Sequence, residues 1–269
     1  MIMYYNYHDI SLYYEKHGNQ GKPIIILPGW GDTRPTFQNL VSALSVFSTV
    51  YIIDYPGFGN TKFPNHSMTI FDYADMIHSL IVDLNLEDAL LIGHSFGGRI
   101  LTLLDGYYHY NHSHFIFIDC AGIRPKKTLE SWMRGKWYQF LKKVGHLLPS
   151  KTRKRYISWL FQKFASPDYQ ALPENMRTTF KNVVNTDLFY YLRKMKARVL
   201  LIWGEHDTST PLSDAEKMKK EIPNSELIVL KNLGHFPYLE RPNWVYQIIM
   251  AHLEEIHFFS PKEKTDSSV

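Results

Sequence analysis

The stretch LLIGHSFGG, residues 90–98, decides how the rest of the chain is read. The apolar run over 89–92 is too brief for a helix and suits a buried strand; it meets a glycine, then His94-Ser95-Phe96, then a glycine pair from which a second apolar segment departs. That order predicts a sharp strand-to-helix corner at Ser95. Gly93 and Gly97 stand two residues to either side, where a Cβ would crowd a tight turn, and Gly98 lets the new helix lie close to the sheet. A serine at such a corner projects its hydroxyl above the C-terminal sheet edge, with the next backbone N–H facing the same space. That is a nucleophile's position, although a lone GxSxG is equally a glycine-rich turn containing serine. The remainder of the chain has to distinguish the two.

Outward from this corner the pattern alternates. Before it, IIIL at 24–27 predicts a central strand ending in Pro28-Gly29-Trp30-Gly31, followed by a helix over 37–44 and a strand over 50–55 stopped by Pro56-Gly57-Phe58-Gly59. Weak alternation over 3–7 and 10–16 predicts two edge strands. Thr69 with Asp72 three residues on has the form of a helix N-cap, and Ile70, Tyr73, Ile77, Leu80 and Ile81 carry the helical stripe. After the corner come a helix over 96–107, a strand over 114–119, and later strands over 199–204 and 226–230, with helices over 212–220 and from Pro242 to about 256. No buried-strand run occurs between 123 and 186. Amphipathic segments near 129–144, 154–164 and 175–184, punctuated by Pro149, Pro167 and Pro173, predict a helical insertion there, dividing the chain into a core of 1–122 plus 187–269 and a cap of 123–186. The tail from Pro261 is expected to fray.

The 269 residues, 45% hydrophobic and 21% charged, suit one large α/β domain with an insertion. The single cysteine, Cys120, excludes an intrachain disulfide and a cysteine-cluster metal site, and with no signal-like or spanning run it leads to the expectation of a cytoplasmic protein. HYNHSH at 109–114 reads as a helix end and loop, not a metal site, and no GxGxxG follows the first central strand, so neither metal nor cofactor is expected. The net charge of +4 is unevenly spread: residues 124–163 hold twelve Lys or Arg against one acid, Glu130. Their aromatic neighbours have no strand-displayed platform, which argues against nucleic acid. The basic excess is either a solvated face or a surface for an anionic partner: a carboxylated substrate, an acyl carrier protein or a phospholipid surface.

A serine nucleophile needs a base, and the base needs an orienting acid. His235, in NLGHFPYLERP after the last strand, offers the base, and Asp207, in GEHDTSTP after the preceding strand, the acid. Alternatives remain for each: His235 as a plain loop histidine, Asp207 as a helix cap, and Asp119 at another strand end as the acid. Glu205 and His206 read as supports. The N–H of Phe96, directly after the serine, and that of Trp30 are the candidate oxyanion donors.

Together PGWG, DYPGFGNT, GHSFGGRI, GEHDTSTP and GHFPYLERP resemble the α/β-hydrolase superfamily over about residues 4–256, in particular its small capped esterases, carbon-carbon-bond hydrolases and prolyl aminopeptidases. The resemblance implies a mostly parallel eight-stranded sheet flanked by helices, Ser95 as nucleophile, His235 as base, Asp207 as its acid, Trp30 and Phe96 as the oxyanion hole, and a helical cap. It departs at Pro28, where many members have histidine, so the packing beneath that loop should differ. Serine at the elbow argues against epoxide hydrolases and haloalkane dehalogenases, which use aspartate. The expected activity is hydrolysis of carboxylic esters with an apolar or aromatic acyl group, through an acyl-enzyme. A prolyl aminopeptidase would need acids near the cap, where only Glu130, Asp168 and Glu174 stand; a carbon-carbon-bond hydrolase and a non-catalytic binding protein on the same fold are the other readings. Trp132, Trp137, Tyr138, Phe140, Leu141, Trp159, Leu160 and Phe161 are expected either to line an acyl pocket or to pack the cap onto the core. Oligomeric state is not legible in the sequence.

Overall fold

A computed structural model describes residues 1–109, 114–124, 129–165, 169–170 and 172–258, with the side chains of 130–132 outside that description. Most of the histidine-rich turn, Lys126, Lys127, Pro167, Asp168 and the tail from Pro261 lie outside the described residues. The strands are β1 (Ile2–Tyr7), β2 (Ile10–His17), β3 (Pro23–Leu27), β4 (Thr49–Asp54), β5 (Leu90–His94), β6 (His114–Ile118), β7 (Arg198–Gly204) and β8 (Ser225–Leu230). They form one sheet in the order β1-β2-β4-β3-β5-β6-β7-β8. The β1–β2 and β2–β4 pairs are antiparallel and every pair from β4 to β8 is parallel. The fold is the expected α/β-hydrolase architecture, with helical insertions forming a cap.

Around the sheet run α1 (Gln38–Leu44), α2 (Ile70–Asp83), α3 (Phe96–Gly106), α4 (Leu129–Gly145), α5 (Ser150–Phe164), α6 (Arg177–Asn185), α7 (Phe189–Leu192), α8 (Leu212–Glu221), α9 (Pro237–Glu240) and α10 (Pro242–Glu255). Successive strand residues point to opposite faces, so β3 divides its side chains between two cores. Ile24 and Ile26 pack under α1 and α10 with Val41, Leu44, Val245 and Ile249. Ile25 and Leu27 pack on the other face with Tyr73, Ile77, Ile100 and Leu104 of α2 and α3. Helix α2 starts at the predicted capping box: the Thr69 side chain accepts from the Asp72 N–H and Asp72 accepts from the Thr69 N–H at 2.6 Å, a pairing that contributes about 1 kcal/mol.

The chain leaves β3 toward α1 on one face and leaves adjacent β5 toward α3 on the other, which opens a crevice at the carboxyl ends of these two strands. The loops after β6, β7 and β8 reach the same edge. Above it, α4 and α5 form an antiparallel hairpin, with Gly145 of α4 against Tyr156 and Ile157 of α5 and Tyr138 against Phe164. Helix α6 is tied to the core at Met68, whose N–H donates to Thr179 Oγ1 at 2.8 Å and whose carbonyl accepts from Asn182 at 3.2 Å. Helix α5 begins one turn earlier than the periodicity predicts because Pro149, outside the helix, sets its start.

The predicted need for glycine after the corner has a direct cause. A Cβ on Gly97 would sit 2.1 Å from the carbonyl oxygen of Leu27, and one on Gly98 would sit 2.3 Å from Cys120 Cβ. In α4, by contrast, a Cβ on exposed Gly135 meets nothing within 4 Å. Gly97→Ala is therefore expected to destabilise the protein by about 1–3 kcal/mol. Gly135→Ala is expected to stabilise its helix by about 0.5–1 kcal/mol. Urea unfolding reads the first as a lower midpoint, and thermal melting of the helical signal reads the second as a higher one.

Candidate active site

Ser95 has φ 46° and ψ −107°, a conformation rare for a residue with a Cβ, costing about 1–3 kcal/mol. Neighbouring strands hold it there. Its N–H donates to the Ile118 carbonyl of β6 at 3.2 Å, and its own carbonyl accepts from Ala121 N–H at 2.8 Å and Gly98 N–H at 3.1 Å. Phe96, next in sequence, is the first residue of α3, so its N–H has no acceptor within the helix.

The β7 and β8 loops arrive together because Gly204 has no side chain: a Cβ there would lie 2.1 Å from the Gly234 carbonyl oxygen. His206 N–H donates to Leu233 O at 2.8 Å, and Glu205 accepts from Asn232 N–H at 3.0 Å, so both residues do brace the loop. This brings His235 Nδ1 to 2.7 Å from Asp207 Oδ2, whose side chain is completely buried. A carboxylate only accepts, so Nδ1 carries the proton, leaving Nε2 of the neutral ring as an acceptor. Asp207 Oδ1 accepts from the N–H groups of Ser209 at 2.7 Å and Thr210 at 2.9 Å, and the Thr210 hydroxyl lies 2.5 Å from Oδ2. Burial alone would raise the Asp207 pKa, but the bonds from His235 and Thr210 outweigh it and bring it down to about 2.

Asp119 is the second carboxyl here. It sits at φ 44° after β6, fully buried, with Oδ1 accepting from Gly204 N–H at 2.9 Å and Oδ2 without a partner. Burial first, and then the neighbouring Asp207, push its pKa up to about 9 despite the Gly204 bond. Ligand-type atoms of Asp119, Asp207 and His235 lie within 4.8 Å of one another, the arrangement of a possible metal set. The four donors on Asp207 already fill its acceptor sites, so a cation there would have to displace protein hydrogen bonds.

Some of the organisation was invisible in the sequence. Buried His94, the residue before Ser95, lies with Nε2 2.8 Å from the backbone carbonyl of His235 and Nδ1 3.0 Å from Asp32 Oδ2. Tyr238, on four-residue α9, brings its hydroxyl within 3.3 Å of the same Asp32 oxygen. Burial pushes the His94 pKa down, against the pull of Asp32. The same pair fills the space beneath the Pro28-Gly29 loop, where a Gly29 Cβ would lie 2.5 Å from Asp32 and 2.8 Å from His94. No motif announces this network, and α9 is too short to show periodicity.

Ser95 and His235 line one cavity of about 1710 Å³, together with Trp30 and Phe96. Its apolar wall comes from Phe58, Leu172, Met176, Phe180, Val183 and Phe189. The Trp30 ring stands edge-on to Phe58, Phe96 and Phe180 at 5.1–5.4 Å between centroids. The cap residues expected to line a pocket or pack inward behave differently: Trp137, Phe140 and Trp159 are exposed, Leu160 is buried, none of the seven whose side chains are described belongs to the cavity wall, and the side chain of Trp132 lies outside the described residues. The cap's main share of the wall comes instead from α6 and the segment before it, because Met68 anchors α6 over the crevice while α4 and α5 pack mainly on each other.

Residues 24–248 match the model of a family described as the alpha/beta hydrolase family. Among curated relatives, a monoacylglycerol lipase of Homo sapiens, ABHD6, is 25% identical over 98% of this chain and 86% of its own length. A pimeloyl-[acyl-carrier protein] methyl ester esterase of Vibrio vulnificus is 22% identical over 86% of this chain and 94% of its own. Among solved structures, a bacterial membrane phospholipase A superposes with TM-score 0.74 at 20% identity, covering 96% of this chain and 86% of that one. A meta-cleavage product hydrolase of Pseudomonas fluorescens gives TM-score 0.67 at 21% identity, covering 92% and 95%.

The two carboxyls should leave opposite marks on stability. Between the ordinary 3.8 and about 9, folded Asp119 keeps a proton that the unfolded chain has released, so its contribution falls as pH rises through that window. Asp207, held at about 2, contributes above its ordinary 3.8 and loses that contribution as pH falls through both values. In urea titrations, Asp119→Asn is expected to gain stability relative to the unsubstituted protein as pH climbs from about 4 to 8, and Asp207→Asn to lose most at neutral pH and least near pH 2.

Proposed function

The chain belongs to the alpha/beta hydrolase family, and from that premise we propose that it is a serine esterase cleaving carboxylic esters through an acyl-enzyme. The observation that carries this reading is the 2.7 Å bond from His235 Nδ1 to buried Asp207, with the ring of His235 and the strained Ser95 facing one cavity. In the proposed cycle His235 Nε2 takes the Ser95 proton as Oγ attacks the ester carbonyl. The imidazolium that forms is stabilised by Asp207, whose low pKa keeps it ionised throughout. The N–H groups of Trp30 and Phe96 receive the oxyanion. His235 then protonates the departing alcohol, and water activated by the same ring releases the acid.

An apolar acyl group fits the wall formed by Leu172, Met176, Phe180 and Val183. The names of the relatives, a monoacylglycerol lipase and a carrier-protein methyl ester esterase, support an acyl ester in the same way. For an aminopeptidase, Glu174 is exposed and off the cavity wall and the side chains of Glu130 and Asp168 lie outside the described residues, while Asp187 and Asp214 do line the cavity, with Asp214 accepting from Lys217 at 2.5 Å. No helix among the described residues is long and apolar enough to cross a membrane.

A fluorophosphonate probe is expected to label the protein and not Ser95→Ala; failure to label the folded protein would sink the proposal. Asp207→Asn should lower kcat on p-nitrophenyl esters by about 10³–10⁴-fold with KM little changed. A panel of p-nitrophenyl esters of increasing chain length, proline and alanine arylamides and an aryl dienoate tests the bond cleaved. Turnover confined to the arylamides or to the dienoate would replace the ester assignment with an aminopeptidase or a carbon-carbon-bond hydrolase.

A further inference from the structure

The outer face of the cap hairpin is unusual for a surface. Leu129, Met133, Trp137, Phe140 and Val144 follow one another in α4 at steps of four, four, three and four residues, which places them on a single helix face. That face is turned outward: Leu129 is 73% exposed, Met133 57%, Trp137 55% and Phe140 54%. Leu147, just beyond the helix, is 86% exposed, and Trp159 of α5 is 49% exposed. The side of α4 that meets α5 holds Tyr138, Leu141 and Gly145 instead. A contiguous stripe of large apolar groups in water is unfavourable and marks a contact surface.

Its surroundings identify the chemistry of the contact. Lys142, Lys143, Lys151, Lys154, Arg155 and Lys163 are exposed on the same two helices, and residues 124–163 contain twelve basic residues and one acid. A second copy of this chain is disfavoured, since apposing two such faces would bring like charges together. A small acidic protein would have to offer an apolar groove as well as acids to answer the same surface. A lipid leaflet with anionic headgroups answers both: the apolar side chains enter the acyl boundary while lysine and arginine stems hold their charges at the phosphates. We propose that the α4–α5 hairpin is a docking surface for anionic membrane interfaces, with the Leu129–Val144 stripe inserted and the flanking lysines and arginines on the headgroups. The surface stands independently of the hydrolase reading, because its residues lie outside the cavity wall.

Flotation of the full chain with vesicles of phosphatidylcholine alone, or mixed with phosphatidylglycerol, tests this. Expected is partition onto the anionic vesicles, weakened about tenfold or more by Trp137→Ser with Phe140→Ser and also by Lys143→Gln with Arg155→Gln, which stand beside the stripe and on the face of exposed Trp159, and reduced in about 0.5 M salt. Circular dichroism and hydrolysis of a soluble short-chain ester, both unchanged in these exposed variants, show that they remain folded. Absence of flotation at low salt, or flotation that ignores both double variants, overturns the proposal. So does a dimer in analytical ultracentrifugation that the Trp137 and Phe140 changes dissolve, or binding of an acidic acyl carrier protein while vesicles stay free. If soluble ester is not hydrolysed but flotation occurs as described, the docking surface stands and the esterase reading fails.

Discussion

The Ser95 corner at the sheet edge depends on how closely α3 can approach β3. Gly97 rides against the Leu27 carbonyl at a distance no Cβ tolerates, and Gly98 rides against Cys120. With the helix start pinned there, Ser95 must turn within one residue, and hydrogen bonds to Ile118 and Ala121 hold the strained backbone. The strain is carried by the buried parallel sheet on both sides. A site on a mobile loop could not sustain it.

The same principle repeats at the partner residues. Gly204 lets the β7 and β8 loops touch, and the contact places the Asp207 carboxylate against the His235 ring. Two acids end up in one buried space with different environments. Asp207 is surrounded by donors and held ionised, whereas Asp119 has one backbone donor and a carboxylate neighbour and is held neutral. Distributing the donors unequally keeps two like charges from occurring side by side. His94 adds a further constraint, because its bond to the His235 carbonyl links the residue before Ser95 to the loop carrying His235.

The cap is organised differently from the core beneath it. Helix α6 contributes Phe180 and Val183 to the cavity wall and is fastened through Thr179 and Asn182 to the core at Met68. Helices α4 and α5 instead pack on one another and face outward. One insertion therefore divides its work between enclosing the cavity and presenting a surface.

By itself the sequence determined the order and type of the core elements, from IIIL at β3 to the Pro242 helix, because buried strands and amphipathic helices have local periods and glycine turns have local steric causes. It also offered Ser95, Asp207 and His235 as candidates, since each lies at a corner or loop that follows a legible strand end. Tertiary structure alone decided which acid bonds to His235, because Asp119 and Asp207 both terminate strands and only the Gly204–Gly234 approach separates them. It alone assembled Asp32, His94 and Tyr238, which are distant in the chain. And it alone turned Trp137 and Phe140 outward: a helical stripe announces that a face will be covered, but what covers it is fixed by packing between elements, which no local pattern records.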